Sequence, residues 1–332
     1  MSDKNCVLIL SDEDDISTND VLDWIDFFGG NVLRINESTK IDFLSYQQTN
    51  SSNLDWVINV EGKELKRSEI TCFWYRRGVM VFDYNFIETG DKLLDENFNK
   101  YLGREITSLN VALNKNLNQV SDKVGCIFDN EINKLEVLNL ASSNGLDIPK
   151  TLITSSKKEL FKFIDSNEFV ITKAISEGIS FKYWSKKIDG FTNKVEKNNL
   201  IPDRFFPTLF QEGLSKKWEI RAFYINEKIF STAIFSQNDE NTKIDFRHYG
   251  TKYPNRTPPI KLPEKVENSI KSLMRELKMQ SGSIDIVYTA DNRYVFLEVN
   301  PVGQFAQVSD PGNFCLEKVI AKELLKNEVK KN

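Results

Sequence analysis

Asp285, Glu298 and Asn300 lie within Ser283–Gln304, SIDIVYTADNRYVFLEVNPVGQ, and their oxygens suit a hard cation. SIDIVYTA and RYVFLEVN are rich in β-branched and aromatic residues, and Asp291-Asn292 between them suits a tight turn, so the stretch reads as a β-hairpin. With those two residues as the loop, Ala290 pairs with Arg293 and Asp285 falls opposite Glu298. Strand alternation then puts Asn300 on the face of Glu298. Two facing carboxylates repel, and a bound cation turns that repulsion into a site. With oxygen ligands only, the ion expected is Mg²⁺ or Mn²⁺ and not zinc. An ordinary hairpin with a solvated polar face fits the acid pair equally well. Asn300-Pro301-Val302-Gly303 ends the strand abruptly.

A second chemical stretch is Thr208–Asn226, TLFQEGLSKKWEIRAFYIN. Leu209–Glu212 leads into a polar turn, and Trp218–Ile225 alternates as a strand with Glu219, Arg221 and Phe223 on one face. Glu219 and Arg221 could pair with each other, or serve a nucleotide, the acid accepting ribose hydroxyls and the guanidinium meeting phosphate. Lys134 stands near the start of a helix expected over Asp129–Gly145, where a cation opposes the helix dipole. A phosphate held there would reverse that argument; a solvated lysine is the plainer reading. Lys173 interrupts the apolar strand FVITKAI and needs an anionic partner or a path to solvent.

The elements around these residues read as α/β. Cys6–Leu10, a helix over Ser17–Phe28 stopped by Gly29-Gly30, and Asn31–Ile35 form a βαβ start that predicts a parallel sheet. TCFWYRRG at Thr71–Gly78 is a strand ending in Arg76 and Arg77, residues that either close a buried strand or hold an anion. Asp91–Asn118 reads as a long helix with Leu93, Leu94, Phe98, Leu102, Ile106 and Leu109 in register. Ser176–Phe206 mixes lysines and aromatics without a strong period, as a lid, a hairpin or a peptide-gripping surface would. Leu262–Lys278 and Phe314–Lys330 read as helices.

Composition narrows the classes. The chain has 332 residues, 40% hydrophobic and 28% charged, which fits a soluble globular protein of more than one domain. Net charge is −4, from 44 basic and 48 acidic residues, so no general nucleic-acid footprint exists. No apolar run approaches the ~20 residues of a membrane helix, and MSDKNCVLIL lacks a signal-peptide layout. Cys6, Cys72, Cys126 and Cys315 are far apart without a CxxC pair, as expected of a reduced, cytoplasmic protein. His248, in DFRHY beside Arg247, is the only histidine, so any Ser-His or Cys-His mechanism would need it.

Taken in order, Lys134, Lys173, Gln211-Glu212, Glu219, Arg221, Asp285, Glu298 and Asn300 resemble the ATP-grasp ligases over roughly residues 120–325. Glu219-Ile220-Arg221 is similar to the acid-x-Arg of the branch that includes ribosomal-protein glutamate ligases. FWYRRG, KAISEGISFKY, the SQ…DFRHY run and LEVNPVGQF extend the resemblance over nearly the whole chain to the graspetide macrocyclases, the microviridin-type peptide maturases, with the grasp-with-spasm branch the nearest.

The resemblance implies an α/β (α+β) ATP-grasp fold, with a pre-ATP-grasp domain at 1–120, a central lid-bearing subdomain at 121–207 and a catalytic subdomain at 208–332. It implies ATP and Mg²⁺, or Mn²⁺, as cofactors. Lys134 and Lys173 would meet the phosphates. Gln211, Glu212 and the backbone near Leu214 would hold adenine, and Glu219 the ribose. Asp285, Glu298 and Asn300 would ligate the metal. Arg221 would neutralise the transferring phosphoryl, and Arg247 would steer the acceptor carboxylate or acyl phosphate. His248 would be a base or a structural histidine.

The implied partner is a ribosomally made precursor peptide with a leader and a Thr/Ser- and Glu/Asp-rich core, handled by a homodimer, with no nucleic acid and no membrane. Phe181–Val195, with Lys182 and Tyr183, is the expected leader contact, and Arg76 and Arg77 would approach the core peptide. The implied activity activates Glu or Asp carboxylates and joins them to Thr/Ser hydroxyls or Lys amines as ester or amide rings. A same-fold ligase that adds amino acids to a tail, and a non-catalytic peptide-binding module, are the alternatives.

Overall fold

The computed structural model describes residues 5–50, 54–82, 87–127, 132–176, 178, 180–184, 186–190, 192–197, 201–236 and 256–326. The chain divides into two compact units: residues 1–130 with 279–281 and 315–332, and residues 131–278 with 282–314.

In the first unit, β1 (Cys6–Leu10), α1 (Ile16–Phe27) and β2 (Val32–Ile35) form the expected βαβ start. β3 (Ile41–Gln48), β4 (Leu54–Val60) and β5 (Lys63–Lys66) make a separate antiparallel sheet, of which β3 has no counterpart in the sequence reading. β6 (Ile70–Tyr75), α2 (Lys92–Leu117) and β7 (Asp122–Val124) complete a parallel sheet ordered β2-β1-β6-β7. All five residues of β1 are buried, as a strand covered on both faces requires. α1 buries Thr18, Val21 and Ile25. The C-terminal helix Leu316–Leu324 belongs to this unit and packs on α1, with Lys318 Nζ 4.5 Å above the Trp24 ring.

The stripe expected along α2 is corrected. Leu93, Leu94 and Phe98 are exposed, Ile106 and Leu109 of the stripe do pack partly buried on the core, and the buried residues of the helix are Leu113, Asn114, Asn116 and Leu117. Its first turns rest on polar bonds. Asp91 caps the Leu93 and Leu94 amides, and Asn99 exchanges two hydrogen bonds with the Ile87 backbone at 2.8 and 2.9 Å.

Arg76, at the end of β6, is 3% exposed, with its Nε 3.1 Å from Asp15 Oδ2 and its Nη2 3.1 Å from Ser17 Oγ. Arg77 is an exposed neighbour, 3.5 Å from Asp12. Burial pushes the Asp15 carboxyl up, but the Arg76 charge and bonds from Ser17, Arg76 and Thr18 outweigh it and hold the group at about 2, against an ordinary 3.8. A depressed carboxyl stabilises the fold above its unfolded value and loses that contribution as pH falls through the folded one. Asp15→Asn is therefore expected to cost about 2 kcal/mol at neutral pH. Urea unfolding of the two proteins between pH 4 and 2 should show that difference shrinking, and a constant difference would refute the assignment.

The second unit holds α3 (Lys134–Ser143), β8 (Thr151–Ser156), α4 (Lys157–Asp165) and β9 (Val170–Lys173). Then come the hairpin β10 (Ser180–Tyr183) and β11 (Lys186–Asp189), β12 (Asn193–Val195) and β13 (Arg204–Glu212). The chain continues through β14 (Lys216–Ile225), β15 (Lys228–Ile234), β16 (Pro259–Ile260), α5 (Glu264–Glu276), β17 (Ser281–Thr289), β18 (Tyr294–Asn300) and α6 (Ala306–Gly312). One sheet runs β12-β9-β13-β8 and another β16-β15-β14-β17-β18. Position 207/208 falls inside β13. α4 covers the first sheet through Leu160, Val170 and Phe210, while α3 packs on β18 and α5. No helix among the described residues is long and apolar enough to cross a membrane.

Candidate active site

The hairpin β17–β18 is built differently from the two-residue loop expected. The Thr289 amide donates to Arg293 O at 3.0 Å, the Arg293 amide donates to Thr289 Oγ1 at 2.9 Å, and Asn292 turns with φ +66°. Ala290, Asp291 and Asn292 thus form the loop, and Thr289, not Ala290, faces Arg293. Tyr288 pairs with Tyr294 and Ile286 with Phe296, one position out of the expected register. A bulge between Asp285 and Ile286 absorbs Leu297 as an extra residue and restores the pairing of Asp285 with Glu298 and Ser283 with Asn300. The acid pair therefore faces as expected, by a route the sequence did not reveal.

Each acid is met by a cation. Arg221 Nη1 donates to Asp285 Oδ1, with side chains 12% and 20% exposed. Arg221 Nη2 reaches Gln307 Oε1 on α6 at 3.2 Å. Lys134 Nζ stands 3.3 Å from Glu298 Oε2. Lys134 is the first residue of α3, so Glu298 offsets the cost of a cation at that helix end. Burial raises the Asp285 carboxyl, Arg221 opposes this, and Glu298 and Glu219 add to it, leaving the group at about 6. Of the two roles open to Glu219 and Arg221, mutual pairing gives way to separate partners: Arg221 meets Asp285, and Lys216 Nζ donates to Glu219 Oε1.

Behind these groups lies a pocket lined by Phe169, Ile171, Gln211, Leu214, Val287 and Leu297, with Glu212, Lys216 and Glu219 at its polar side. Gln211 is 1% exposed and its Nε2 donates to Thr151 Oγ1 at 2.9 Å. Glu212 is fixed by β13's neighbour: the Lys150 amide donates to Glu212 Oε1 at 3.0 Å, and the Glu212 amide to Lys150 O, also at 3.0 Å. Apolar walls with a few fixed polar groups suit a flat heteroaromatic ring. The bulged Leu297 contributes to that wall.

The structure thus gathers Gln211, Glu212, Leu214 and Glu219 around one pocket, and sets Arg221, Asp285, Lys134 and Glu298 as two ion pairs on the adjoining hairpin. Lys173 ends β9 opposite Leu209, two residues from the pocket residue Ile171. Lys182 and Tyr183 stand exposed on the β10–β11 hairpin, Tyr183 beside the 87%-exposed Trp184. Arg76 and Arg77 lie in the first unit, bonded as described above. Arg247 and His248 lie outside the described residues. Lys216 and Gln307 were not singled out by sequence, and Ser236 only as the start of the SQ…DFRHY run, with no role given; Lys216 sits in a run, SKK, that reads as a polar turn.

Among the described residues no three His, Cys, Asp or Glu side chains converge on a metal. Two carboxylates and one amide do share the end of the hairpin, and a carboxyl held at about 6 by burial and neighbouring acids is a group that added positive charge would relieve. The donor set therefore fits a hard cation.

No family model matches the chain. Among curated proteins, the alpha-aminoadipate–LysW ligase LysX of Sulfurisphaera tokodaii is 23% identical over 214 residues, 63% of this chain and 71% of LysX. A RiPP-associated ATP-grasp ligase from Chryseobacterium gregarium, solved with ADP, a leader and a core peptide, superposes with TM-score 0.78, 24% identity and 97% coverage of both chains. The macrocyclase MdnC from Microcystis aeruginosa MRC, solved with the precursor peptide MdnA, gives TM-score 0.73 and 25% identity over 97% of this chain and 99% of MdnC. The ATP-grasp ligase PsnB, with a minimal precursor, Mg and ADP, gives TM-score 0.69 and 19% identity over 98% of each chain. The chain has the α/β fold of the ATP-grasp ligases, shared over 97% of its residues with the RiPP-associated ligase and the macrocyclase MdnC.

Proposed function

We propose that the protein is an ATP-dependent ligase that closes rings between side chains of a ribosomally made precursor peptide, working as a homodimer. One observation carries this reading: Glu212, Glu219, Asp285 and Glu298, the acids expected to serve a nucleotide and its metal, each face a fixed basic or backbone partner in one continuous region of the second unit. The fold of that unit is shared with proteins solved in complex with precursor peptides.

In this reading the nucleobase lies against Phe169, Ile171 and Leu297, with Gln211 and Glu212 at its polar edge and Glu219 at the ribose. Lys134 and Lys173 meet the phosphates. Asp285, Glu298 and Asn300 hold a divalent cation, which would neutralise phosphate charge and fix the phosphates in place. Arg221 stabilises charge on the phosphoryl as a peptide carboxylate attacks it, releasing ADP and leaving a peptide acyl phosphate. A Thr or Ser hydroxyl, or a Lys amine, then attacks the acyl carbon, expels phosphate and loses its proton to give the ester or amide. The exposed Tyr183 and Trp184 on the β10–β11 hairpin offer apolar contact for a leader, with Lys182 beside them.

Likeness to LysX favours a second reading, the addition of a free amino acid to a carboxylate. Incubation of the protein with ATP, Mg²⁺ and a candidate precursor, followed by mass spectrometry, separates the two. The expected result is loss of one water mass per ring together with ADP. A mass gain would favour amino-acid addition, and absence of ADP release with every precursor and amino acid tried would overturn the enzyme reading.

A further inference from the structure

Glu219 is held more tightly than contact with a sugar alone requires. Its side chain is 12% exposed, and two donors converge on the same oxygen. Lys216 Nζ donates to Oε1, and Ser236 Oγ, just past the end of β15, donates to it at 3.2 Å. Ser236 is 1% exposed and the Lys216 side chain 9%, so both donors are shielded from water. Lys216 also lines the pocket. Residues three apart on a strand point to opposite faces, yet Lys216, at the first position of β14, folds back to meet Glu219.

Such a clamp has a physical purpose. A glutamate carboxylate swings about its own side-chain torsions and offers lone pairs in several directions. Binding one oxygen from two sides fixes the plane of the group and hence the direction of the other oxygen. Lys216 also supplies the opposite charge that a carboxylate removed from water needs. A buried acceptor fixed to meet a hydroxyl rejects the analogue that lacks it, because the acceptor is then left unpaired.

We propose that Lys216 and Ser236 are positioning residues that set the sugar specificity of the nucleotide site, orienting Glu219 to accept from a ribose and thereby disfavouring deoxyribonucleotides. The inference rests on Glu219 as the ribose-reading acid and deepens that reading.

Calorimetric titration of the full chain with ADP, 2′-deoxy-ADP and 3′-deoxy-ADP in the presence of Mg²⁺ tests it, with inorganic triphosphate as a probe of the phosphate subsite alone. The wild type should bind at least one deoxy analogue about tenfold or more weakly than ADP, the size of a lost hydrogen bond to a charged group. Lys216→Met should collapse that ratio to about twofold, chiefly through weaker ADP binding, with triphosphate affinity unchanged. Lys216→Arg should restore the preference, and Ser236→Ala should lower it in part. A wild type that does not discriminate overturns the ribose role of Glu219 itself. Discrimination in the wild type that persists in Lys216→Met overturns the clamp alone. Should Lys216→Met fail to fold, Ser236→Ala decides, and an undiminished ratio in that variant overturns the proposal.

Discussion

Glu298→Gln should abolish ring formation and precursor-dependent ADP release, by about 10²–10³-fold or more, while precursor binding survives. The substitution keeps the shape of the side chain and its place opposite Asp285. It removes one of two carboxylates expected on the metal and deprives Lys134 of its partner at 3.3 Å. Lys134 would then stand at the first position of α3 without its Glu298 partner, with Glu136 the acid of that turn, a smaller cost of about 0.5 kcal/mol. Fluorescence anisotropy of a labelled precursor, run beside single-turnover mass spectrometry, separates binding from chemistry. Lost precursor binding with normal turnover of the remaining complex would count against the site, since a metal ligand acts on the phosphates and not on the leader.

Arg221→Met should be more damaging still, because it strips the counter-charge from Asp285. The two side chains are 12% and 20% exposed, and breaking a buried pair by removing one partner costs about 3–5 kcal/mol. Burial, Glu298 and Glu219 already raise Asp285 to about 6, and Arg221 is the group holding it down, so the variant's carboxyl rises further. For a carboxyl raised in the fold, the stabilising contribution is complete below the unfolded value of 3.8 and disappears as pH climbs through the folded one. Without metal or nucleotide, wild-type stability should therefore decline from this group between about pH 4 and 6. In Arg221→Met the decline should be larger and extend to higher pH, and in Asp285→Asn it should vanish. Thermal unfolding in EDTA across pH 4–8 measures all three. Parallel profiles for wild type and Asp285→Asn would show that Asp285 is not the strained group. Catalysis in Arg221→Met should fall by at least the 10²–10³-fold typical of a lost charge-stabilising donor.

The site was legible in the sequence to the extent that strand periodicity could carry it. A two-residue loop at Asp291-Asn292 set Asp285 against Glu298, and alternation put Asn300 on that face and grouped Glu219 with Arg221. It failed where the chain departs from alternation. The hairpin loop is longer than its Asp-Asn pair indicated, and Leu297 bulges to compensate, so two departures cancelled at the residues that matter. Long-range pairing was beyond reach: Arg221 spends its charge on Asp285 and Gln307, and Glu219 takes its cation from Lys216. Along α2, apolar spacing was read as one inner stripe, whereas tertiary packing takes up only its second half, from Ile106 and Leu109 onward, and leaves Leu93, Leu94 and Phe98 in solvent. α6 went unread because Pro311 interrupts the helical pattern, and with it went Gln307.

The helix Leu316–Leu324 has a consequence for how the protein is made. It packs on α1, Lys326 bonds Asp122 at 2.8 Å, and Leu325 sits so close to Gly30 that a Cβ there would meet it at 2.6 Å. Residues 315–332, which complete the first unit, are therefore translated only after the whole of the second. Until they emerge, the Trp24 and Phe28 rings that receive Lys318 and Lys322 lack their cover. The whole second unit is synthesised in that interval, as an insertion within the first. Domains folding one after another in order of synthesis cannot each finish before the next begins here, because the first unit stays incompletely closed until the helix Leu316–Leu324 has been made.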